Sequence, residues 1–193
     1  MPISRPESSR PLPQNASKVF TGVLYDVYQW QQELFDGSLT IYEKLKGKDL
    51  VTVIPVTKEG KILITHQQQP GSSKYITNAG GRVEDDEDPL AAAKRELLEE
   101  TGYVSDDYFL WKAFQPSQRI EQVIYIFIAR NCTKIADQNL DPGEKIELEL
   151  VSFEDFAQIT IHDSYSDTDI QMEFLKAKAF PNKMQEIKQI ILG

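Results

Sequence analysis

The sequence contains little sulfur and little histidine. Among 193 residues there are one cysteine and two histidines. A single cysteine excludes a disulfide within the chain and is typical of a reducing compartment, so we expect a cytoplasmic protein. Cys132 ends an apolar segment, far in sequence from His66 and His162. We therefore favour a packing role for this thiol over a nucleophilic one.

Basic residues and long apolar segments are also scarce. The chain has 21 lysines and arginines against 30 aspartates and glutamates, a net charge of −9. Binding along a phosphate backbone requires a basic surface, so nucleic acid is not an expected partner. No apolar run approaches the roughly 20 residues that span a bilayer, so no membrane partner is expected either. Residues 1–17 are rich in proline and lack the apolar centre of a secretory signal, which predicts a disordered tail.

Strand and turn patterns divide the remainder of the chain into two parts. We interpret residues 18–47 as a small antiparallel sheet, because strands at 19–28 and 39–45 flank the turn residues Asp36 and Gly37. Residues 48–193 form the larger domain. Its predicted strands span residues 50–56, 61–67, 108–114, 122–129 and 148–153, and its predicted C-terminal helices span 166–179 and 183–192. Strands with helices between and after them predict an α/β/α sandwich with a mixed sheet.

The segment 81–103 carries the strongest functional signal. Asp88 is a suitable N-cap, Pro89 suits the first helical position and Gly102 suits a C-terminal stop, which predicts a helix of about thirteen residues. On this helix Glu96, Glu99 and Glu100 share one face, and their like charges require solvent or a cation. An all-oxygen ligand set suits Mg²⁺, Mn²⁺ or Ca²⁺. The alternative interpretation is a solvated helix face.

The whole segment resembles the signature box of the Nudix hydrolases, G-x5-E-x7-R-E-U-x-E-E-x-G-U with U aliphatic. The matching positions are Gly81, Glu87, Arg95, Glu96, Glu99, Glu100 and Gly102. Only Tyr103 departs, since an aliphatic residue is usual there. The resemblance implies the α/β/α sandwich of that family and hydrolysis of a nucleoside diphosphate linked to another moiety.

The resemblance also implies roles for the box residues. Glu96, Glu99 and Glu100 would hold two or three divalent ions, Mg²⁺ or Mn²⁺, with the carbonyl of Gly80 as a further ligand. Glu99 would act in catalysis as well. Two further box residues would complete the site: Arg95 would orient the carboxylates, and Glu87 would be its partner or a ligand through water.

Outside the box, the chain resembles the ADP-ribose and nucleotide-sugar pyrophosphatases of the family. The similar segments include THQQQP, QPSQRIEQVIYIFIA and DPGEKIELELVSFEDF. This resemblance implies a nucleotide-sugar substrate and a homodimer whose N-terminal sheets exchange and close the partner's substrate site. In that arrangement Tyr28 or Trp30 would stack on a nucleobase, and core packing is an equal alternative.

Two departures leave the substrate open. Gln69 stands where an arginine is usual, and Pro116 lies closer to the box than the proline associated with ADP-ribose specificity. A nucleotide sugar other than ADP-ribose is therefore an alternative. We expect Arg82 to contact substrate, and Arg119 either supplies lost positive charge or is a surface arginine.

The general base is expected outside the box, in the acidic segment 137–147 and the strand that follows. Its candidates are Asp141, Glu144, Glu147 and Glu149. Comparison with the family favours Glu144, and solvated loop charges are the alternative. At the level of the whole protein, the alternative to a hydrolase is a catalytically weak nucleotide-binding or sensing protein on the same fold.

Overall fold

The computed structural model describes residues 3–193, apart from the side chain of Pro181. Residues 1–2 of the predicted tail lie outside this range. Within it, the strands are β1 Ser17–Thr21, β2 Asp26–Glu33, β3 Leu39–Lys46, β4 Leu50–Thr57, β5 Ile62–Gln68, β6 Tyr75–Thr77, β7 Ala79–Arg82, β8 Tyr103–Val104, β9 Asp107–Phe114, β10 Ile120–Glu121, β11 Ile124–Lys134 and β12 Lys145–Val151. The helices are α1 Pro89–Thr101, α2 Phe153–Ile159, α3 Thr168–Ala179 and α4 Pro181–Leu192.

A small sheet is built in the order β1-β2-β3-β10. The hairpin between β2 and β3 turns at Gly37, whose φ of 84° is readily adopted by glycine. The prediction of one strand over residues 19–28 is wrong. The backbone N–H of Gly22 donates to the carbonyl of Tyr25 at 3.1 Å, and this turn separates β1 from β2.

The larger sheet has the order β12-β5-β4-β11-β8, with β6 beside β5, β7 beside β4 and β9 beside β11. Strands β4 and β11 run parallel, and the other pairs of this sheet are antiparallel. One apolar cluster packs helices α2, α3 and α4 on one face, and a second packs α1 on the other. The predicted α/β/α sandwich with a mixed sheet is confirmed.

Helix α1 has the predicted bounds and caps. The Asp88 carboxylate accepts from the N–H of Leu90 at 2.9 Å, and Gly102 ends the helix with a φ of 74°. Ala93 and Leu97 are fully buried against the sheet. The apolar side of α1 therefore faces β4 and β7, while its carboxylates line a cleft at the edge of the sheet.

Several short elements were not predicted, and several boundaries were wrong. The missed elements are β6, β7, β8, β10 and α2. The strand predicted over 148–153 is β12, which begins earlier and ends at Val151 because Ser152 caps α2 by accepting from the N–H of Asp155 at 3.1 Å. Strand β11 extends past residue 129 to Lys134. Helix α4 begins at Pro181, two residues before its predicted start at 183, because the fixed φ and missing N–H of proline suit a first helical position.

The segment before β1 contains no helix or strand within residues 3–16 but contacts the folded part of the chain. The Arg5 guanidinium lies 3.0 Å from the carboxylate of Asp49 and 3.1 Å from that of Glu121. The division of the chain at residues 17 and 47 stays a prediction. No helix in the described range, 3–193, has the length and apolar character needed to cross a membrane.

Candidate active site

A cleft of about 610 Å³ lies between α1, strands β6 and β7, the end of β5 and the loop that contains residues 139–144. It contains nine of the candidate site residues predicted from the sequence. They are Gln69, Gly80, Arg82, Arg95, Glu96, Glu99, Glu100, Asp141 and Glu144. Residues that are up to 75 positions apart in the chain thus share one concave surface.

Two adjacent glycines let strand β7 lie close to its neighbours: Gly80 allows the close approach to β4, and Gly81 allows the approach to helix α1. A Cβ atom at Gly81 would lie 2.4 Å from Oε1 of Glu96, which is inside van der Waals contact. The N–H of Gly80 donates to Oε2 of Glu100 at 2.9 Å. The backbone before the helix therefore fixes the positions of two of the three box carboxylates.

Arg95 connects the remaining charges of the box. Its guanidinium contacts Glu87 at 3.0 Å, Glu96 at 2.8 Å and Glu99 at 3.0 Å, and donates to the carbonyl of Arg82 at 3.0 Å. The hydrogen bond with Glu87 is the main cause of a raised pKa for Arg95 and a lowered pKa for Glu87. These contacts agree with the predicted orienting role of Arg95, which stays a prediction.

Glu100 is the most buried of the three box carboxylates and is 4% exposed. Burial raises its pKa to about 8, although the hydrogen bond from Gly80 acts to lower it. Burial also raises the pKa of Glu96. Nε2 of Gln67 lies 3.4 Å from Oε1 of Glu100, and the Tyr75 hydroxyl donates to Oε1 of Gln67 at 3.2 Å. Desolvated carboxylates of this kind favour either a proton or a nearby cation.

The donor set suits a hard divalent ion in its chemistry. Glu96, Glu99, Glu100 and the Gly80 carbonyl present only oxygen atoms, and a cation beside Glu100 would compensate its buried charge. Within residues 3–193, no group of three or more aspartates, glutamates, histidines or cysteines has the arrangement of a metal site. Glu96 and Glu99 instead engage Arg95.

The four candidate bases lie in two different places in the structure, two in the cleft and two on the surface of β12. Asp141 and Glu144 line the cleft, and the N–H of Asp141 lies 3.3 Å from Oε2 of Glu144. Two others project from β12 and form surface pairs: Glu147 with Lys74 at 3.7 Å and Glu149 with His66 at 2.7 Å. Position in the cleft thus favours Asp141 and Glu144, and the choice of Glu144 stays a prediction.

Three predicted substrate contacts lie outside the cleft of this chain. Tyr28 lines a separate depression beside Lys46 and Lys48. Trp30 and Arg119 line another, where the Trp30 ring meets Tyr42 edge-on at a centroid distance of 6.0 Å. Trp30 is 8% exposed and donates from Nε1 to Gln32 at 3.0 Å, which agrees with the packing alternative.

The polar residues of the cleft that sequence reasoning missed include Gln67, Tyr75, Asn78 and Asp167. Gln67 lies in the THQQQP segment but was passed over for Gln69. Asp167 carries no local signal, because an aspartate before a helix is ordinarily interpreted as a cap.

A family model described as "NUDIX domain" matches residues 48–168, which include the cleft and all of helix α1. The chain belongs to the Nudix family. It is a Nudix pyrophosphohydrolase, and members of this family generally use divalent metal ions. Every charged position of the Nudix box is present and lines the cleft or contacts Arg95 there.

Relatives of this Nudix hydrolase carry different names. The chain is 31% identical over 141 residues to an ADP-ribose pyrophosphatase of Bacillus subtilis (strain 168), a match that covers 72% of this chain and 76% of the relative. It is 28% identical over 134 residues to a methanol dehydrogenase activator of Bacillus methanolicus, covering 68% and 72%. A crystal structure of an ADP compounds hydrolase superposes with a TM-score of 0.71 at 16% identity, covering 91% of this chain and 96% of that one. That structure supports the fold.

Proposed function

We propose that this Nudix hydrolase cleaves the pyrophosphate of a nucleoside diphosphate linked to a sugar, with ADP-ribose as the first candidate. The products would be a nucleoside monophosphate and a sugar phosphate, and the cofactor would be Mg²⁺, with Mn²⁺ as an alternative. The observation that carries the proposal is the cleft that joins Glu96, Glu99 and Glu100 to Arg82 and Arg95. Similarity to an ADP-ribose pyrophosphatase supports the substrate class.

The residues of the cleft suit an in-line attack of water on phosphorus. When bound by Glu96, Glu99, Glu100 and the Gly80 carbonyl, divalent ions would supply positive charge for the pyrophosphate oxygens and for activation of water. Glu144 or Asp141 would take the proton of the attacking water as the bond between phosphorus and the bridging oxygen breaks. Arg95 holds Glu96 and Glu99 in place, and Arg82 would face the anionic substrate.

Gln69 bears on which group is attached to the pyrophosphate of the substrate. This residue lines the cleft with a neutral amide. An amide binds a phosphate through one or two hydrogen bonds without the charge of a guanidinium. A nucleotide sugar other than ADP-ribose is therefore the main alternative substrate.

A panel of substrates tests the proposal. ADP-ribose, other nucleotide sugars, dinucleoside polyphosphates and nucleoside triphosphates are incubated with Mg²⁺ or Mn²⁺, and nucleoside monophosphate is measured by chromatography. We expect release from one or more nucleotide sugars. Binding of a nucleotide with no product from any compound would instead favour a sensing protein.

Two conservative substitutions test the metal ligands. Glu99→Gln and Glu100→Gln keep the shape of each side chain and remove its charge. We expect each to lower kcat by roughly 100-fold or more, because several kcal/mol of charge stabilisation depend on the ions. Glu147→Gln, at an exposed position on β12 outside the cleft, is the control and should retain activity. Near wild-type kcat in both Glu99→Gln and Glu100→Gln would contradict the proposal.

We also propose that the protein is a cytoplasmic homodimer in which residues 18–47 form the exchanging part. The single cysteine supports the compartment. Support for the dimer comes from the small sheet, which exposes a group of large apolar side chains: Val19, Phe20, Val23, Leu24, Leu39 and Ile41. Exchange would also offer a route by which Tyr28 or Trp30 contributes to a partner's cleft.

A further inference from the structure

Asp167 precedes helix α3 but does not cap it. An aspartate at this position ordinarily accepts a hydrogen bond from the first turn of its own helix. Here the side chain makes no cap hydrogen bond. Its Oδ2 atom accepts instead from the hydroxyl of Thr77 and from the backbone N–H of Asn78, each at 2.9 Å. The carboxylate is thus directed away from α3 and toward the strand segment 77–78.

That segment continues into the backbone of Gly80, which contacts the box carboxylate Glu100. Two residues after Asn78, the N–H of Gly80 donates to Glu100 at 2.9 Å. On the other side, the carbonyl of Thr77 accepts from the hydroxyl of Thr65 at 3.0 Å. Asp167 and Thr65 therefore hold the start of this segment from two directions, and Glu100 contacts its end.

The contacts around Asp167 form a polar cluster at the floor of the cleft. The Tyr165 hydroxyl donates to Oδ1 of Asn78, and Asn78 is 3% exposed. Its Nδ2 atom has no hydrogen-bond partner among residues 3–193. An incompletely paired buried cluster of this kind costs stability relative to apolar packing. The position of this polar cluster indicates a role in the active site and not in stability, because Thr77, Asn78 and Asp167 all line the cleft.

We propose that Asp167 is a positioning residue of the active site, which holds the 77–80 backbone where the Gly80 N–H binds Glu100. The catalytic consequence rests on the proposed function, whereas the effect on the Gly80 amide does not. Loss of the carboxylate releases the Thr77 hydroxyl and the Asn78 N–H together. Strand β7 stays paired with β4 over residues 79–82, but the segment that enters it at residues 77–78 is no longer fixed. The Gly80 N–H is then held less firmly at the carboxylate of Glu100.

Three variants test the proposal: Asp167→Ala, Asp167→Asn and Asp169→Ala. The Asn variant keeps an oxygen acceptor and should rescue most of the effect. Asp169 lies in the first turn of α3, two residues after Asp167, and has no hydrogen bond to the 77–80 segment. The first readout is hydrogen exchange of the Gly80 amide in metal-free protein. Because hydrogen bonds to a charged group are lost, we expect Asp167→Ala to speed this exchange by about 10- to 100-fold. Asp169→Ala should leave it unchanged.

The second set of readouts follows the active site itself. We expect Asp167→Ala to lower kcat by about 10-fold or more, with KM changed by less than about threefold, and to weaken Mn²⁺ binding measured by electron paramagnetic resonance. If Asp167 had only a structural role, Asp167→Ala would lower the melting temperature and leave kcat and Mn²⁺ affinity unchanged. Wild-type Gly80 exchange and wild-type kcat in Asp167→Ala would overturn the proposal, and so would equal losses in Asp169→Ala.

A fourth variant, Thr77→Val, covers the case in which Asp167→Ala does not fold. Thr77→Val deletes one of the two hydrogen bonds and keeps the side-chain shape, so faster Gly80 exchange supports the proposal and unchanged exchange overturns it. The two proposals fail separately. A wild-type protein that cleaves no nucleotide sugar contradicts the proposed substrate class, while Gly80 exchange still decides the role of Asp167.

Discussion

Gly80 and Gly81 are neighbours in the chain, yet a methyl group at each would meet a different obstacle. At Gly80 the new Cβ atom would lie 2.2 Å from the backbone carbonyl of Val51, which is held in the sheet. At Gly81 it would meet the carboxylate of Glu96, the flexible end of a side chain. The first contact concerns the fold, and the second concerns the position of a box carboxylate.

This difference predicts that alanine at Gly80 lowers stability, whereas alanine at Gly81 lowers activity. We expect Gly80→Ala to lower the free energy of unfolding by about 1–3 kcal/mol, since strand β7 must move away from β4. Gly81→Ala should change stability little and lower kcat, because Glu96 is displaced. Urea unfolding and steady-state kinetics on both variants check this. A Gly81→Ala enzyme with wild-type kcat would show that the position of Glu96 is not critical.

At the scale of elements, helix α1 depends on its N-terminal cap. Because Asp88 accepts from the N–H of Leu90, we expect Asp88→Ala to lower the free energy of unfolding by about 1 kcal/mol. Asp88→Asn retains an acceptor and is the matched control. The proposed metal ligands Glu96, Glu99 and Glu100 lie in the last two turns of α1, so kcat should change little. Urea unfolding followed by circular dichroism measures the first effect, and equal stability of the two variants would contradict it.

Strand β10 is held by a buried ion pair between Lys44 and Glu121. Nζ of Lys44 lies 2.6 Å from Glu121 on strand β10, and the Lys44 side chain is 1% exposed. Burial acts to raise the pKa of Glu121, but Lys44 and Arg5 outweigh it and the pKa is lowered. A lowered pKa means that this carboxylate stabilises the folded state above its ordinary pKa and that the contribution is lost as pH falls through the folded value.

Glu121→Gln therefore has a pH-dependent cost. At pH 7 we expect the free energy of unfolding to fall by about 3 kcal/mol, because Lys44 stays buried without its carboxylate. The difference between wild type and variant should narrow below about pH 4, where the ordinary carboxyl group takes up a proton. Glu154→Gln removes an exposed pair with Lys188 and should have little effect. Chemical unfolding from pH 3 to pH 8 measures both, and a constant difference would contradict the assignment.

At the scale of the whole molecule, the small sheet presents an apolar surface that one chain leaves exposed. Phe20 and Leu24 are 60% and 59% exposed. If this sheet pairs with a second copy, light scattering should give twice the chain mass of 22.0 kDa. Phe20→Glu together with Leu24→Glu should return the mass to that of one chain, because burial of two charges opposes association. Met172→Glu, on α3, is the control, and a wild-type mass of 22.0 kDa would contradict the dimer.

The features that were predicted correctly from the sequence depend on interactions between residues close together in the chain. Asp88, Pro89 and Gly102 define the ends of α1 through contacts within a few residues, and spacings of three and four place the glutamates on one face. The missed elements are short or depend on distant partners. Strand β10 has two residues and exists only because it pairs with β3, and β7 is defined by its pairing with β4.

The sequence by itself determined the helix and the shared face of its carboxylates, because cap chemistry and helical periodicity act over one or two turns. Membership of the Nudix family rests on the match of the chain to that family. Only the tertiary structure decided which distant residues reach that helix. It brought Asp167 to Asn78 across 89 positions, placed Glu144 and Asp141 in the cleft, and left Trp30 and Arg119 outside it. Those distances depend on the packing of two layers of helices on one sheet, which no short stretch of sequence encodes.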